Sequence, residues 1–218
     1  MTPLRIALLG AESSGKTALS QALAQSLRGQ GRTVALVPEV LREWCAQAGR
    51  TPQPHEQMGI AQEQAARVAQ AEQANPTPDF VIADTTPLMI AVYSDLLFGD
   101  RTLYGFALAH QRSYARTLVM GLDLPWVADG LQRDGPHVQA PVDALVRAAL
   151  DGAGLPYQTV YGKSMARLAH AERALRADPR IAALVGPTAQ SGSPVRWSCD
   201  TCGDGDCEHR LFRRLLAP

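Results

Sequence analysis

The chain has 218 residues, 46% of them apolar, with 21 basic and 21 acidic side chains. That length fits one domain, or one domain with a small appendage, and allows a sizeable core. Zero net charge gives no electrostatic footprint for nucleic acid, and no apolar run is long enough to span a bilayer. The expectation is a soluble cytoplasmic protein with neither nucleic acid nor membrane as partner.

Leu4–Leu9 reads as a first strand, starting too early to leave room for a leader peptide. Directly after it comes Gly10-Ala11-Glu12-Ser13-Ser14-Gly15-Lys16-Thr17, and then a helical pattern over 18–28 with Leu19, Leu23 and Leu27 recurring. Strand, glycine loop and helix in that order are the setting of a phosphate-binding P-loop. The glycines let backbone N–H groups turn inward on phosphate oxygens, and the helix aims its positive end at the same point. Lys16 is expected to reach the β- and γ-phosphates, and the Thr17 hydroxyl to hold Mg²⁺. Only two lysines occur, Lys16 and Lys163, in a chain that otherwise uses arginine. An ammonium is kept where a compact point charge is wanted.

A strand over 33–37 follows, closed by Pro38, with Glu39 and Arg42 just beyond it. A short helix is predicted over 39–45, a proline-containing loop over 50–55 and a long Gln- and Ala-rich helix over 56–75. The apolar run 80–83 predicts a third strand ending at Asp84. Helices are predicted over 88–97 and 104–113. A fourth strand over 116–122 ends in Asp123-Leu124-Pro125-Trp126. The polar stretch 129–139 reads as a mobile loop. A helix over 142–150, a fifth strand over 157–161 and a helix over 164–177 complete the pattern. Alternating strands and helices at this spacing imply a five-stranded parallel sheet with right-handed crossovers. Strand 2 is expected next to the P-loop strand, and Glu39, Asp84 and Asp123 fall at carboxyl ends of strands, where such sheets bind ligands.

Asp84, in a chain with a P-loop, is expected to orient Mg²⁺ or its water. A helix cap serving the next turn through Thr85 and Thr86 is the structural alternative. Glu39 can take the proton of an attacking hydroxyl, and Arg42 can grip a phosphate or substrate oxygen. A surface helix start explains the same pair without chemistry. Arg133 can neutralise charge on a transferring phosphoryl group, and Asp129 can hold its loop or a ribose hydroxyl. A solvated loop is the alternative. Trp126 can stack on a ring or simply pack. No Asn-Lys-x-Asp guanine-reading stretch occurs, which favours ATP as the nucleotide.

The tail holds Cys199, Cys202, Cys207 and His209 within eleven residues. Three thiolates and an imidazole at this spacing fit a closed structural zinc site. A polar acidic loop before a helix over 210–216 accounts for the same stretch without metal. The division expected is 1–190 for the nucleotide domain and 191–218 for the cysteine-rich tail.

Four segments occur in order across about residues 4–175. They are the Gly10–Thr17 loop, Val37-Pro38-Glu39-Val40-Leu41-Arg42, Asp84-Thr85-Thr86, and Asp123-Leu124-Pro125-Trp126-Val127-Ala128-Asp129-Gly130. Together they resemble the nicotinamide riboside kinase domain of NadR-type proteins, within the wider NadR-like AAA group. The resemblance implies a three-layer α/β P-loop NTPase fold of the nucleoside and nucleotide kinase kind. It implies ATP-dependent phosphorylation of the 5′-hydroxyl of nicotinamide riboside, with Glu39 and Arg42 as the family's acid–arginine pair and Asp84 as its strand-end acid. The chain departs from the pattern at Pro38, where an aromatic is expected, and at Thr86, where the family carries Asp. Arg133 sits one place later than the family's arginine. The His-x-Gly-His motif of an adenylyltransferase is absent. Two other readings compete with a kinase: a P-loop ATPase or nucleotide-sensing module, and a metal-stabilised interaction protein.

Overall fold

The computed structural model describes residues 2–127 and 135–185. Five strands form one all-parallel sheet: β1 (Leu4–Leu9), β2 (Val34–Val37), β3 (Phe80–Asp84), β4 (Arg116–Met120) and β5 (Gln158–Val160). Their order is β2-β3-β1-β4-β5. Helices α1 (Lys16–Gly29), α7 (Ser164–Arg176) and α8 (Pro179–Leu184) cover one face. The other face carries α3 (Pro54–Glu72), α4 (Pro87–Phe98), α5 (Tyr104–Gln111) and α6 (Gln139–Gly152), with α2 (Val40–Ala48) at its edge. Among the described residues no helix is long and apolar enough to cross a membrane.

The strands alternate their side chains between two cores, as a strand period of two requires. Ile6, Leu8, Ile82, Leu118 and Met120 pack with Leu19, Leu23 and Leu27 of α1. Leu9 and Val119 pack with the opposite layer. There α4 packs against α3, α5 and α6, α3 itself also lies on β2 and β3, and every residue from Pro87 to Val92 is buried. The apolar first half of α4 has no solvent face to offer, so it sits among these three helices, and only its end, at Leu97 and Phe98, is exposed.

The sequence reading places strand 2 beside the P-loop strand. Instead β3 lies between β2 and β1, pairing Ala83 with both Val37 and Ala7. All five residues of β3 are buried, so it takes an inner place, while the partly exposed β2 takes the edge. The fourth strand ends at Met120 rather than 122. A Cβ on Gly121 would lie 2.3 Å from the Tyr161 ring, and Asp123 turns toward the next strand. Asp84 itself belongs to β3, opposite Leu8. The long third helix starts earlier, at Pro54, on reciprocal Gln53–Glu56 capping bonds. Residues 136–138 of the expected loop form a helical turn leading into α6. Helix α8 has no counterpart in the sequence reading. Asp178 caps it and Pro179 opens it, a start signal too short to stand out.

Candidate active site

The loop between β1 and α1 closes on itself because of two glycines. Gly10 has φ +144°, and a Cβ there would sit 2.9 Å from the Cβ of Met120. Gly15, at φ +81°, caps α1 from the left-handed region. Its missing Cβ leaves room for Leu124. Ser13 also lies at positive φ, and its hydroxyl both donates to the Val127 carbonyl at 2.7 Å and accepts from the Val127 N–H at 2.9 Å. Gln139 of α6 donates to the Glu12 carbonyl at 2.8 Å. The loop is therefore held from both the β4 side and the α6 side. Residues 13–18 and Arg42 line an open pocket over it.

Lys16 is buried, and its Nζ donates to the carbonyls of Gly10 and Ala11, both at 2.9 Å. Burial pushes its pKa down, while the carboxylates of Glu39 and Asp84 push it back up. Thr17 donates its hydroxyl to Asp84 Oδ2 at 2.5 Å. The other oxygen, Asp84 Oδ1, is buried with no hydrogen-bond partner among the described residues. A hydroxyl and a carboxylate with one oxygen unused make a hard oxygen set, which suits Mg²⁺. Arg42 points Nη1 at Thr17 Oγ1 (3.4 Å) and Nη2 at Glu39 Oε2 (3.3 Å). Glu39 itself is 8% exposed. Lys16, Thr17, Asp84, Arg42 and Glu39 thus form one connected group, although β2 is not the neighbour of β1.

Asp123 is not part of this group. Its Oδ2 accepts from the Gly162 N–H at 2.6 Å, and its Oδ1 lies 3.5 Å from Arg167 Nη2. Arg167 is buried and donates to the carbonyls of Gly121, Val160 and Gly162. Burial pushes its pKa down, and Asp123 opposes that. This pair fastens the ends of β4 and β5 together. Nothing local in the sequence marks Arg167, which sits on an ordinary amphipathic helix. Thr86, where the resemblance expects an acid, caps α4 at Leu88 and donates to the buried Gln111, which in turn bonds Thr117. Trp126 is partly buried, with its Nε1 lacking an acceptor among the described residues. Asp129, Arg133, Cys199, Cys202, Cys207, His209 and the division at residue 190 lie outside the described residues.

A family described as an AAA domain matches residues 5–167. Among solved structures, a NadR protein in complex with NR is 16% identical with a TM-score of 0.69, covering 81% of this chain and 52% of its own. A NadR protein in complex with NAD and AMP-PNP is 15% identical with a TM-score of 0.64, covering 81% and 49%. A deoxyadenosine kinase from M. mycoides, with products dCMP and a flexible dCDP bound, is 13% identical with a TM-score of 0.55, covering 80% and 100%. At these identities the likeness establishes the fold. The chain spans about half the length of the NadR chains it matches. No curated protein matches it.

Proposed function

The chain belongs to this AAA-domain family, and from that premise we propose that it is an ATP-dependent small-molecule kinase. The proposed acceptor is nicotinamide riboside or a similar riboside, phosphorylated at its 5′-hydroxyl in cytoplasmic NAD salvage. The observation that carries this reading is the buried Glu39 carboxylate, joined through Arg42 to Thr17 of the P-loop. An acid–arginine pair beside the loop supports a kinase because it can hold an acceptor hydroxyl and a phosphate oxygen. In an ATPase the same pair would position water and neutralise charge, so the products formed decide between the two. The choice of riboside draws on the NadR protein solved with NR.

In this reading the backbone N–H groups of residues 10–15 and the start of α1 hold the phosphates. Lys16 supplies positive charge where the transferring group becomes more negative. Thr17 and Asp84 would hold Mg²⁺, which when bound neutralises charge on the β- and γ-phosphates. Glu39 accepts a hydrogen bond from the acceptor hydroxyl and takes its proton as the new oxygen–phosphorus bond forms. The bond from the γ-phosphorus to the bridging oxygen breaks, and ADP leaves with that electron pair. Arg42 grips phosphate or ribose oxygen. Arg133, Asp129 and Trp126 are proposed on sequence grounds for phosphoryl charge, ribose and ring. On the same grounds Cys199, Cys202, Cys207 and His209 are proposed to hold one structural Zn²⁺ in a tail beyond residue 190.

Incubation with Mg-ATP and a panel of nucleosides tests the reading. The expected result is a riboside product heavier by one phosphoryl group, with one ADP formed for each. ADP formed without any phosphorylated nucleoside would replace the kinase with an ATPase.

A further inference from the structure

Glu39 stands at the N-terminal boundary of α2, where a carboxylate ordinarily bonds to the free N–H groups of the first turn. It makes no such cap. The first N–H of α2, that of Val40, donates instead to Gln64 Oε1 on α3 at 2.9 Å. The same carboxamide donates through Nε2 to the Pro38 carbonyl at 3.2 Å. These two groups belong to the two peptide units on either side of Glu39. Peptide units are planar, so fixing both of them fixes φ and ψ of the residue between. Glu39 has φ −70° and ψ 108°. We infer that Gln64 is a positioning residue for Glu39: it holds that backbone conformation and does the capping, which leaves the carboxylate to face the P-loop. The inference rests on the kinase reading above.

The residue type follows from the task. One group must donate and the other must accept, and only one orientation of a Gln amide satisfies both partners. Gln64 is fully buried on a 19-residue helix, beside Ile60, Ala61 and Val68 on the same face. The Pro38 carbonyl lies past the end of β2 and has no ladder partner on that strand. Pro38 itself is exposed and its bond to Gln64 is part-buried, whereas the Val40 N–H bond is buried, and a donor left unmade there is costly. The Gln- and Ala-rich sequence of α3 gives no local hint of this, because the partner residues are 24 and 26 positions away.

The test is a double-mutant cycle with Mg-ATP and nicotinamide riboside as the probe substrates. Gln64→Met keeps the volume and removes both bonds. It is expected to lower kcat about 10- to 100-fold with the KM for ATP within about twofold, as for other misplaced catalytic groups. In a Glu39→Gln background the same change is expected to lower kcat by less than about threefold, since nothing is left to position. Equal losses in both backgrounds, or a lowered melting temperature with unchanged kcat, would make Gln64 merely structural and overturn the inference. Gln64→Glu covers a failure of the methionine variant to fold. Its neutral carboxyl can reproduce both bonds, whereas its carboxylate faces the Pro38 carbonyl. Its kcat relative to wild type should therefore fall as pH rises, and a flat ratio overturns the inference. A Glu39→Gln enzyme as active as wild type removes Glu39 from the mechanism and the inference with it. A wild-type protein that transfers phosphate to no riboside overturns the kinase reading itself, and this inference falls with it.

Discussion

Thr17 and Asp84 share a hydrogen bond of 2.5 Å that joins the first turn of α1 to the last residue of β3. The bond spans 67 residues of sequence and leaves Asp84 Oδ1 buried and unpartnered. A buried carboxylate oxygen without a partner is expensive unless something else binds it. Asp84→Asn should therefore separate function from stability. The amide keeps the size and can still accept from Thr17, but it loses the charge that attracts a cation. The Mg²⁺ concentration for half-maximal turnover should rise about 10- to 100-fold. The melting temperature of the nucleotide-free protein should change little by comparison, because relief of the unpartnered buried oxygen offsets the lost attraction between Asp84 and buried Lys16. Mg²⁺ titration of turnover and a thermal melt decide it. An unchanged Mg²⁺ dependence would leave Asp84 with a structural role only.

Lys16→Ala should abolish most transfer and keep the fold. The Lys16 Nζ donates to the carbonyls of Gly10 and Ala11, within the P-loop itself, so the substitution disturbs the loop and not the two apolar cores. Loss of one preorganised positive charge at a reacting centre costs about two to three orders of magnitude in turnover. Kinetics and far-ultraviolet circular dichroism on the same sample check both halves. Normal turnover with any active acceptor would overturn the P-loop assignment.

The strands were legible because each is a short apolar run bounded by polar residues or glycine, and β1 was placed to the residue. The P-loop and Asp84 were legible for the same reason: their chemistry is local in sequence. Strand order was not, since adjacency of β1 and β3 is set by which strand is buried on both faces, a property of the assembled sheet. Glu39 still reaches the P-loop from the edge strand because Arg42, one helical turn on, spans the distance to Thr17. Arg167 and Gln64 were invisible because their roles are long-range bonds to backbone groups. Asp123 was read as a ligand-facing acid, but it is taken up by Gly162 and Arg167.

Far from the P-loop, His110 gives the fold a pH dependence. Burial first, and then the Arg5 guanidinium, push its pKa down to about 4 from the ordinary 6.5, against a smaller opposing effect of Glu72. The unfolded chain therefore binds a proton between pH 6.5 and 4 that the folded chain does not. Stability is full above about pH 6.5 and is lost as pH falls toward 4, by less than about 1.4 kcal/mol per unit given the partial exposure of the ring. His110→Gln should flatten that part of the curve. Denaturant midpoints at pH 4.5 and 7.5 for both proteins provide the comparison. Parallel losses in the two would show that other groups set the acid limit.

Zinc content tests the tail on its residue chemistry. Cys199, Cys202, Cys207 and His209 offer four ligands, which is a closed set with no open position for catalysis. Protein purified without chelator should carry about one zinc per chain. Chelation, followed by removal of the chelator and return to excess Mg²⁺, should release the zinc without altering turnover, because none of the four proposed ligands belongs to the P-loop group. Metal analysis near zero, with every cysteine titratable by a thiol reagent, would leave a polar loop.

Glu39→Gln bears most directly on the chemistry. The carboxylate is buried beside Lys16 and Asp84 and is paired with Arg42. As a helix-start residue alone it would contribute under about 1 kcal/mol through the α2 dipole, and its replacement would leave turnover normal. As the acceptor-side acid it both orients the hydroxyl and receives the proton. In a loose phosphoryl-transfer transition state the proton leaves late, so orientation supplies much of the effect. Glutamine keeps a hydrogen-bond acceptor but cannot take the proton, so it should lose about two to four orders of magnitude in kcat. ATP affinity should change little, because the phosphates are held by the loop backbone and Lys16. Normal kinetics in the variant would shift the acid's role to Asp84, the other buried carboxylate of the group, which accepts from Thr17.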